Sequence, residues 1–245
     1  MKVVLIEDEN FGVLPGHADK VVQLLEKYEM IWGCMARADF LKKKVDEWIS
    51  SVERESISGK HTGFSGAAIG IESFNQSTLN DIKKKETAAD ILGVIQKIRA
   101  HGLGIVGYYM IGFENDTIES IKADIKKLVS LGLDLTQICV VTPPPSTPLW
   151  NDISKKYGIF EKDYHKFDGK HLVWNHPNIS PSEMDELMNW AVRKVYPRRM
   201  PIISSYRIWS KAFKRGGIRG IKEILQLQYD ANRFEFFPDK PRMFN

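Results

Sequence analysis

Apolar runs begin near residues 2, 31, 67, 103, 133 and 171, and an amphipathic stretch follows most of them. A strand plus its crossover helix takes about 30 residues, so this spacing reads as repeated βα units. Strands joined in this way are parallel and need helices to cover them. Two architectures satisfy that demand, a doubly wound open sheet and a (β/α) barrel. No strand is followed by GxGxxG or GxxxxGK[ST], which removes the phosphate cradles expected of the first. The expected fold is α/β, a (β/α) barrel of TIM type, complete or partial.

The run Val3 to Ile6 stops at Glu7, Asp8 and Glu9. It has the character of a buried parallel strand, which needs a neighbour on each side. Pro15 suits the first turn of its helix, with Val21, Val22, Leu24, Leu25 and Tyr28 along one face. A second strand ends at Arg37 and Asp39, and Leu41, Val45, Trp48, Ile49 and Val52 line the helix after it. SISGKHTGFSG reads as a loop and AAIGIES as the third strand, whose helix ends near His101 with Gly102 closing it. LGIVGYYMIGF and LDLTQICVV read as the fourth and fifth strands. Asn115, Asp116 or Thr117 caps the helix between them. HLVW, at 171–174, is a weaker sixth run ahead of a helix capped by Ser180 or Ser182.

No run reaches the roughly 18–20 apolar residues of a membrane span, and the short run before the acids after Ile6 does not read as a secretory signal. Two distant cysteines, Cys34 and Cys139, suit a reducing cytoplasm and form no metal or cluster motif. The net charge of +4 hides an asymmetry: Arg193 to Arg242 holds 13 Lys and Arg against 4 Asp and Glu. A basic tail on an acidic body meets something anionic or packs on that body.

Ligands of such folds sit at the carboxyl ends of the strands. Those ends carry Glu7, Asp8, Glu9 and Asn10, then Arg37 and Asp39, Glu72 and Ser73, Gly112 and Phe113, and Thr142 and Pro143. Carboxylates take an ammonium and an arginine takes a carboxylate, so the set suits a zwitterionic or cationic ligand. Gly107 and Gly112 would let a flat group lie against the fourth strand.

In order and spacing, EDEN, WGCMARAD, GIES with LNDIKKKET, VGYYMIGFENDT and TPPPSTPL resemble the radical S-adenosylmethionine (SAM) superfamily, and within it the group that often carries a cobalamin-binding domain upstream. DGKHLVWNHPNISPSEM resembles the segment after that group's barrel. The resemblance implies SAM and a [4Fe–4S] cluster as cofactors, with cobalamin as a further candidate. It puts Glu7, Asp8 and Glu9 at the SAM amino group and Arg37 at its carboxylate. Glu72 and Ser73 fall where polar groups meet the ribose or methionyl part. Tyr109, Met110 and Gly112 fall beside the adenine, through backbone contacts. Lys83, Lys84 and Lys85 read as a solvated helix end, though a lysine recurs near Lys84 in the resembling proteins, which gives it a cofactor role as the alternative. Where the group often reads Pro-Gly-Glu-Thr and Pro-Gly-Thr-Pro, this chain has Glu114 to Thr117 and Pro145 to Pro148.

The superfamily's CxxxCxxC segment, which follows its first strand, is absent. The implied organisation is a partial barrel lacking its first βα unit over 1–158, a post-barrel strand, loop and helix over 159–199, and a basic amphipathic segment over 200–245. Three functional readings follow. The chain is part of a radical SAM enzyme; or a partner completed by a separate cysteine-bearing chain; or a non-catalytic remnant binding SAM or another small molecule. A self-sufficient barrel acting on a small anionic substrate competes with these. Cys34 and Cys139 read as packing residues within strands. The tail reads first as a helical appendage, then as a membrane-surface contact with a lipid-like substrate, making a cytoplasmic protein membrane-associated. Nucleic acid is the weaker partner. His165, His171 and His176, with Asp163 and Asp168, lack the spacing of a metal site, and Trp32 and Trp48 read as core.

Overall fold

The computed structural model describes residues 3–14, 16–57 and 62–196. Pro15, residues 58–61 of the expected SISGKHTGFSG loop and the basic tail from 197 onward, with what the sequence suggests for each, lie outside the described residues. Strands β1 (Val3–Ile6), β2 (Ile31–Met35), β3 (Gly63–Glu72), β4 (Gly104–Ile111) and β5 (Leu135–Val140) are all parallel and lie side by side in chain order. The helices are α1 (His17–Lys27), α2 (Ala38–Ile57), α3 (Gln76–Asp81), α4 (Ala88–Ala100), α5 (Ile118–Leu131), α6 (Pro148–Lys156) and α7 (Pro181–Val195). An order that never reverses is barrel winding rather than doubly wound topology. The sheet is an open, curled half-barrel.

Period-two burial separates the two faces of the sheet. On the helix-covered face, Trp32, Cys34, Ala67, Ile69, Ile71, Ile105, Tyr109, Ile111, Ile138 and Val140 are buried. Their sequence neighbours Met35, Ala68, Gly70, Val106, Tyr108, Met110 and Cys139 are partly exposed on the inner face. The largest buried ring cluster joins Phe11, Trp32, Phe40, Trp48 and Phe64, with Trp32 and Trp48 edge to face at 4.9 Å. Helix starts follow the sequence closely. Thr87, Thr117, Thr147 and Ser180 each accept a backbone N–H in the first turn, and Ser180 with Glu183 closes a reciprocal capping box.

The structure corrects several expectations. β1 is not buried: Val3 and Leu5 are 54% and 63% exposed, because no described residue covers the inner face there. β3 begins at Gly63, inside the expected loop, since Phe64 packs on Trp32 and Trp48 while the Ser65 hydroxyl donates to the Trp32 carbonyl. The helix after β3 is two helices, α3 and α4, divided by the lysine run. The sixth run forms no strand. Leu172, Val173 and Trp174 are buried, but only an antiparallel bridge joins Trp174 to Ile159. Cys139 is partly exposed on the inner face rather than buried. Gly107 and Gly112 do not clear space for a ligand. A Cβ on Gly107 would lie 2.5 Å from Leu133 Cδ1, and one on Gly112 would lie 2.9 Å from Met184 Cε, so both glycines make room for core side chains.

The far edge of the sheet is closed by one side chain and one loop carbonyl. The Tyr196 hydroxyl, one residue past α7, donates to the Thr136 carbonyl and accepts from the Thr136 N–H at 2.9 Å. The Gly169 carbonyl takes the Val140 N–H at 2.6 Å.

Candidate functional site

The carboxyl ends of β2 and β3 meet the turn between α3 and α4 in one charged cluster. Arg37, just past β2, grips Asp39 through Nε and Nη2 at 3.1 and 3.0 Å, and Nη2 also donates to the Lys84 carbonyl at 2.7 Å. The Lys84 ammonium lies 3.4 Å from Glu72 Oε1 and 3.1 Å from Glu86 Oε2. The first is a long hydrogen bond, while the second is an ion pair without hydrogen-bond alignment. Glu86 Oε1 accepts the Asp39 N–H at 2.9 Å. Lys84 thus links both strand ends, by its carbonyl to Arg37 and by its ammonium to Glu72. Two cations face three carboxylates, which leaves the cluster formally acidic.

Backbone geometry sets these side chains. Glu72, Lys83 and Lys85 are non-glycine residues with φ of 61°, 54° and 58°, a conformation that costs an L-residue about 1 kcal/mol or more. Of the three consecutive lysines only Lys84 turns inward; Lys83 and Lys85 are exposed. The Glu72 carboxylate folds back over Gly70, where an added Cβ would collide with Glu72 Oε1. Burial raises the Glu72 carboxyl above its ordinary range, against the opposing pull of Lys84. Burial also pushes the Asp39 carboxyl up, but the Arg37 hydrogen bond and charge outweigh it and hold the group low.

The remaining predicted residues are placed as follows. Glu7, Asp8 and Glu9 are exposed beyond β1, with Asp8 accepting the Asn10 N–H at 3.1 Å. Ser73 is buried, its hydroxyl accepting the Asn75 N–H at 3.1 Å in the turn into α3. Tyr109 points into the helix layer: its hydroxyl donates to Asp124 at 2.6 Å and its ring lies 5.3 Å from Phe74. Met110 is on the inner face beside Cys139. The Gly112 and Phe113 N–H groups both donate to Asp116 Oδ2 at 2.9 Å. His176 Nε2 pairs with the Phe113 carbonyl at 2.8 Å, while the Asn178 N–H donates to His176 Nδ1 at 3.1 Å. Ser146, at a position where the resembling proteins often have glycine, takes φ 65°.

The structure therefore brings Arg37, Glu72 and Lys84 together. Glu7–Glu9 stand apart at the open edge, and the Tyr109 side chain faces away. Sequence reading missed Glu86, the hold of Asp116 on the Gly112 and Phe113 N–H groups in place of the helix cap that Thr117 supplies, and the His176 contact. Glu86 carried a signal, an acid beside three lysines before a helix cap, but nothing local marked it as buried.

The residues present do not fit an iron–sulfur cluster. Cys34 is buried on the helix side of β2, and burial pushes its thiol up to about 12. Cys139 lies on the inner face of β5, and the described residues hold no grouping of three metal-ligating side chains. His171 Nδ1 pairs with Asp168 at 3.0 Å. Among the described residues no helix is long and apolar enough to cross a membrane.

No family model matches the chain. Bacteriochlorophyllide d C-12(1)-methyltransferase of Chlorobaculum tepidum is 22% identical over 190 residues, which are 77% of this chain and 39% of that protein. An uncharacterized methyltransferase of Pyrococcus horikoshii is 24% identical over 209 residues, 84% of this chain and 42% of its own length. The chain thus spans about two fifths of these curated relatives. Among solved structures, the radical SAM methyltransferase TsrM from Kitasatospora setae, with cobalamin and a [4Fe–4S] cluster bound, superposes with a TM-score of 0.54. The match is 12% identical and covers 92% of this chain and 52% of that one. The half-barrel is therefore a fold found in a radical SAM enzyme.

Proposed function

We propose that the strand-end mouth binds S-adenosylmethionine, and that the chain is the SAM-binding portion of a radical SAM enzyme. The observation that carries this reading is the convergence of Arg37, Glu72 and Lys84 in a fold shared with a radical SAM methyltransferase. SAM presents an ammonium, a carboxylate, a ribose diol and a flat base, and the mouth offers a chemical match for each. Glu7, Asp8 and Glu9 receive the ammonium. Arg37 keeps Nη1 for the carboxylate, since Nε and Nη2 are the atoms that hold Asp39. Glu72 and Lys84 supply an acceptor and a donor for the ribose hydroxyls. Met110 and Gly112 flank the adenine; with the Gly112 N–H already given to Asp116, that contact falls to carbonyls and the inner-face side chain.

In the intact enzyme a [4Fe–4S] cluster held outside these residues would supply the electron that cleaves SAM, leading to a deoxyadenosyl radical or to radical methylation. The methyltransferase names of the relatives favour the second outcome, and cobalamin belongs with it. The substrate is a small or lipid-like molecule. The unsuitable cysteines favour a second reading, a SAM-binding protein that is not itself catalytic or that works beside a cysteine-bearing chain.

Isothermal titration with SAM, together with anaerobic iron and sulfide reconstitution, tests these readings. SAM binding without cluster assembly is the expected result. Absence of SAM binding refutes the site, and a stable cluster on this chain refutes the assignment of its ligands elsewhere.

A further inference from the structure

Glu86 lies beneath the mouth, and none of the proposed ligand contacts uses it. Its side chain is fully buried, a rare state for a carboxylate unless it is paired. Its two oxygens do different things. Oε1 accepts the Asp39 N–H in the first turn of α2, a helix cap supplied from 47 residues away. Oε2 faces the Lys84 ammonium at 3.1 Å. A neutral amide would serve the first role equally well, but only a charged group serves the second. Lys84 in turn sits between Glu86 and Glu72, flanked by the left-handed residues Lys83 and Lys85. A strained turn that buries one lysine of three needs a counter-charge to hold that lysine, and Glu86 is placed to do so.

We infer that Glu86 is a positioning residue of this mouth: it holds the Lys84 ammonium against Glu72 from below and sets where that ammonium meets a ligand. The identity of the ligand rests on the SAM reading; the hold on Lys84 does not.

The discriminating variant is Glu86→Gln, which keeps an acceptor for the Asp39 N–H and loses the charge. Trace acetylation read by peptide mass spectrometry reports how accessible Lys84 is. The rate at Lys84 should rise several-fold in Glu86→Gln while Lys42 and Lys97 stay as they were. SAM affinity should fall about tenfold, and Glu86→Gln should add nothing in a Lys84→Met background. Unchanged Lys84 labelling overturns the inference, as does an equal affinity loss in that background. If the native chain binds no SAM, the functional reading fails and the labelling still decides the role of Glu86. If Glu86→Gln does not fold, Lys84→Met decides. It leaves Glu72 and Glu86 without their shared cation and should lower Tm well below that of Lys42→Met, which breaks an exposed pair with Asp90; equal Tm values overturn the inference.

Discussion

Gly107 and Gly70 lie on neighbouring strands and face opposite ways, so alanine at each tests the assignment of the two faces. An alanine Cβ at 107 would sit 2.5 Å from Leu133 Cδ1 and 2.9 Å from Ile71 Cδ1, where carbon atoms ordinarily approach to about 3.5–4.0 Å. Leu133 and Ile71 are 5% and 0% exposed, so neither can swing into solvent. Overpacking of this kind costs about 1–3 kcal/mol. Gly→Ala recovers about 0.4–1 kcal/mol by stiffening the unfolded chain. The net expectation is a loss of about 1–2 kcal/mol, with ligand affinity unchanged. At Gly70 the obstructing atoms are Glu72 Oε1 and Lys84 Nζ, the far ends of flexible side chains that can move. Gly70→Ala should therefore change stability by less than about 1 kcal/mol and weaken SAM about tenfold. Urea unfolding followed by circular dichroism gives the stabilities, and titration gives the affinities. A neutral Gly107→Ala, or a Gly70→Ala that is the more destabilising of the pair, would refute the division into a packed outer face and an open inner one.

Tyr196→Phe removes the hydroxyl that satisfies both backbone groups of buried Thr136, and should cost about 1–3 kcal/mol in urea unfolding; a loss below about 0.5 kcal/mol would show that water replaces it. Burial lowers the His176 pKa, against the raising effect of its bond to Phe113 and of Glu114, so the folded state binds a proton less readily than the unfolded chain does. His176 therefore contributes stability above the unfolded pKa of about 6.5, and loses it as pH falls through the depressed folded value. The stability of the native protein should fall more steeply from about pH 7.5 to about pH 5.5 than that of His176→Gln; parallel profiles would contradict the assigned roles of the two ring nitrogens.

The strand–helix order was readable because βα units write their period into apolar patterning, and caps such as Thr117 and Ser180 announce themselves by residue type. What escaped was whatever depends on the third dimension. Val3 to Ile6 has the composition of a buried strand, but composition does not say whether a neighbour covers it. Gly107 and Gly112 looked like ligand-facing gaps because period-two alternation marks two faces without saying which is packed. HLVW is apolar enough for a strand, yet its burial comes from Trp174 donating to the Val141 carbonyl and stacking near Tyr157, not from a ladder. At the site, Arg37 and Glu72 were legible as strand-end charges. Glu86 was not, since its partner Asp39 lies 47 residues away.

The two edges of the sheet bear on how the proposed mouth is completed. At β5, Tyr196 and Gly169 occupy outward-facing groups of Thr136 and Val140, so a further strand could not pair there without displacing them. At β1 no described residue does the same, and Val3 and Leu5 present apolar side chains to solvent on the inner face. The preassembled cluster of Arg37, Glu72, Lys84 and Glu86 lies on β2, β3 and the turn beyond them, away from that open edge. The exposed Glu7, Asp8 and Glu9 lie directly beside it. A mouth that is preassembled at its centre and open at its first strand would bind the carboxylate and ribose ends of a ligand in this chain alone. It would gain its grip on the amino end only when β1 is covered. SAM affinity should accordingly depend strongly on Arg37 and Glu72 in the isolated chain and weakly on Glu7 to Glu9.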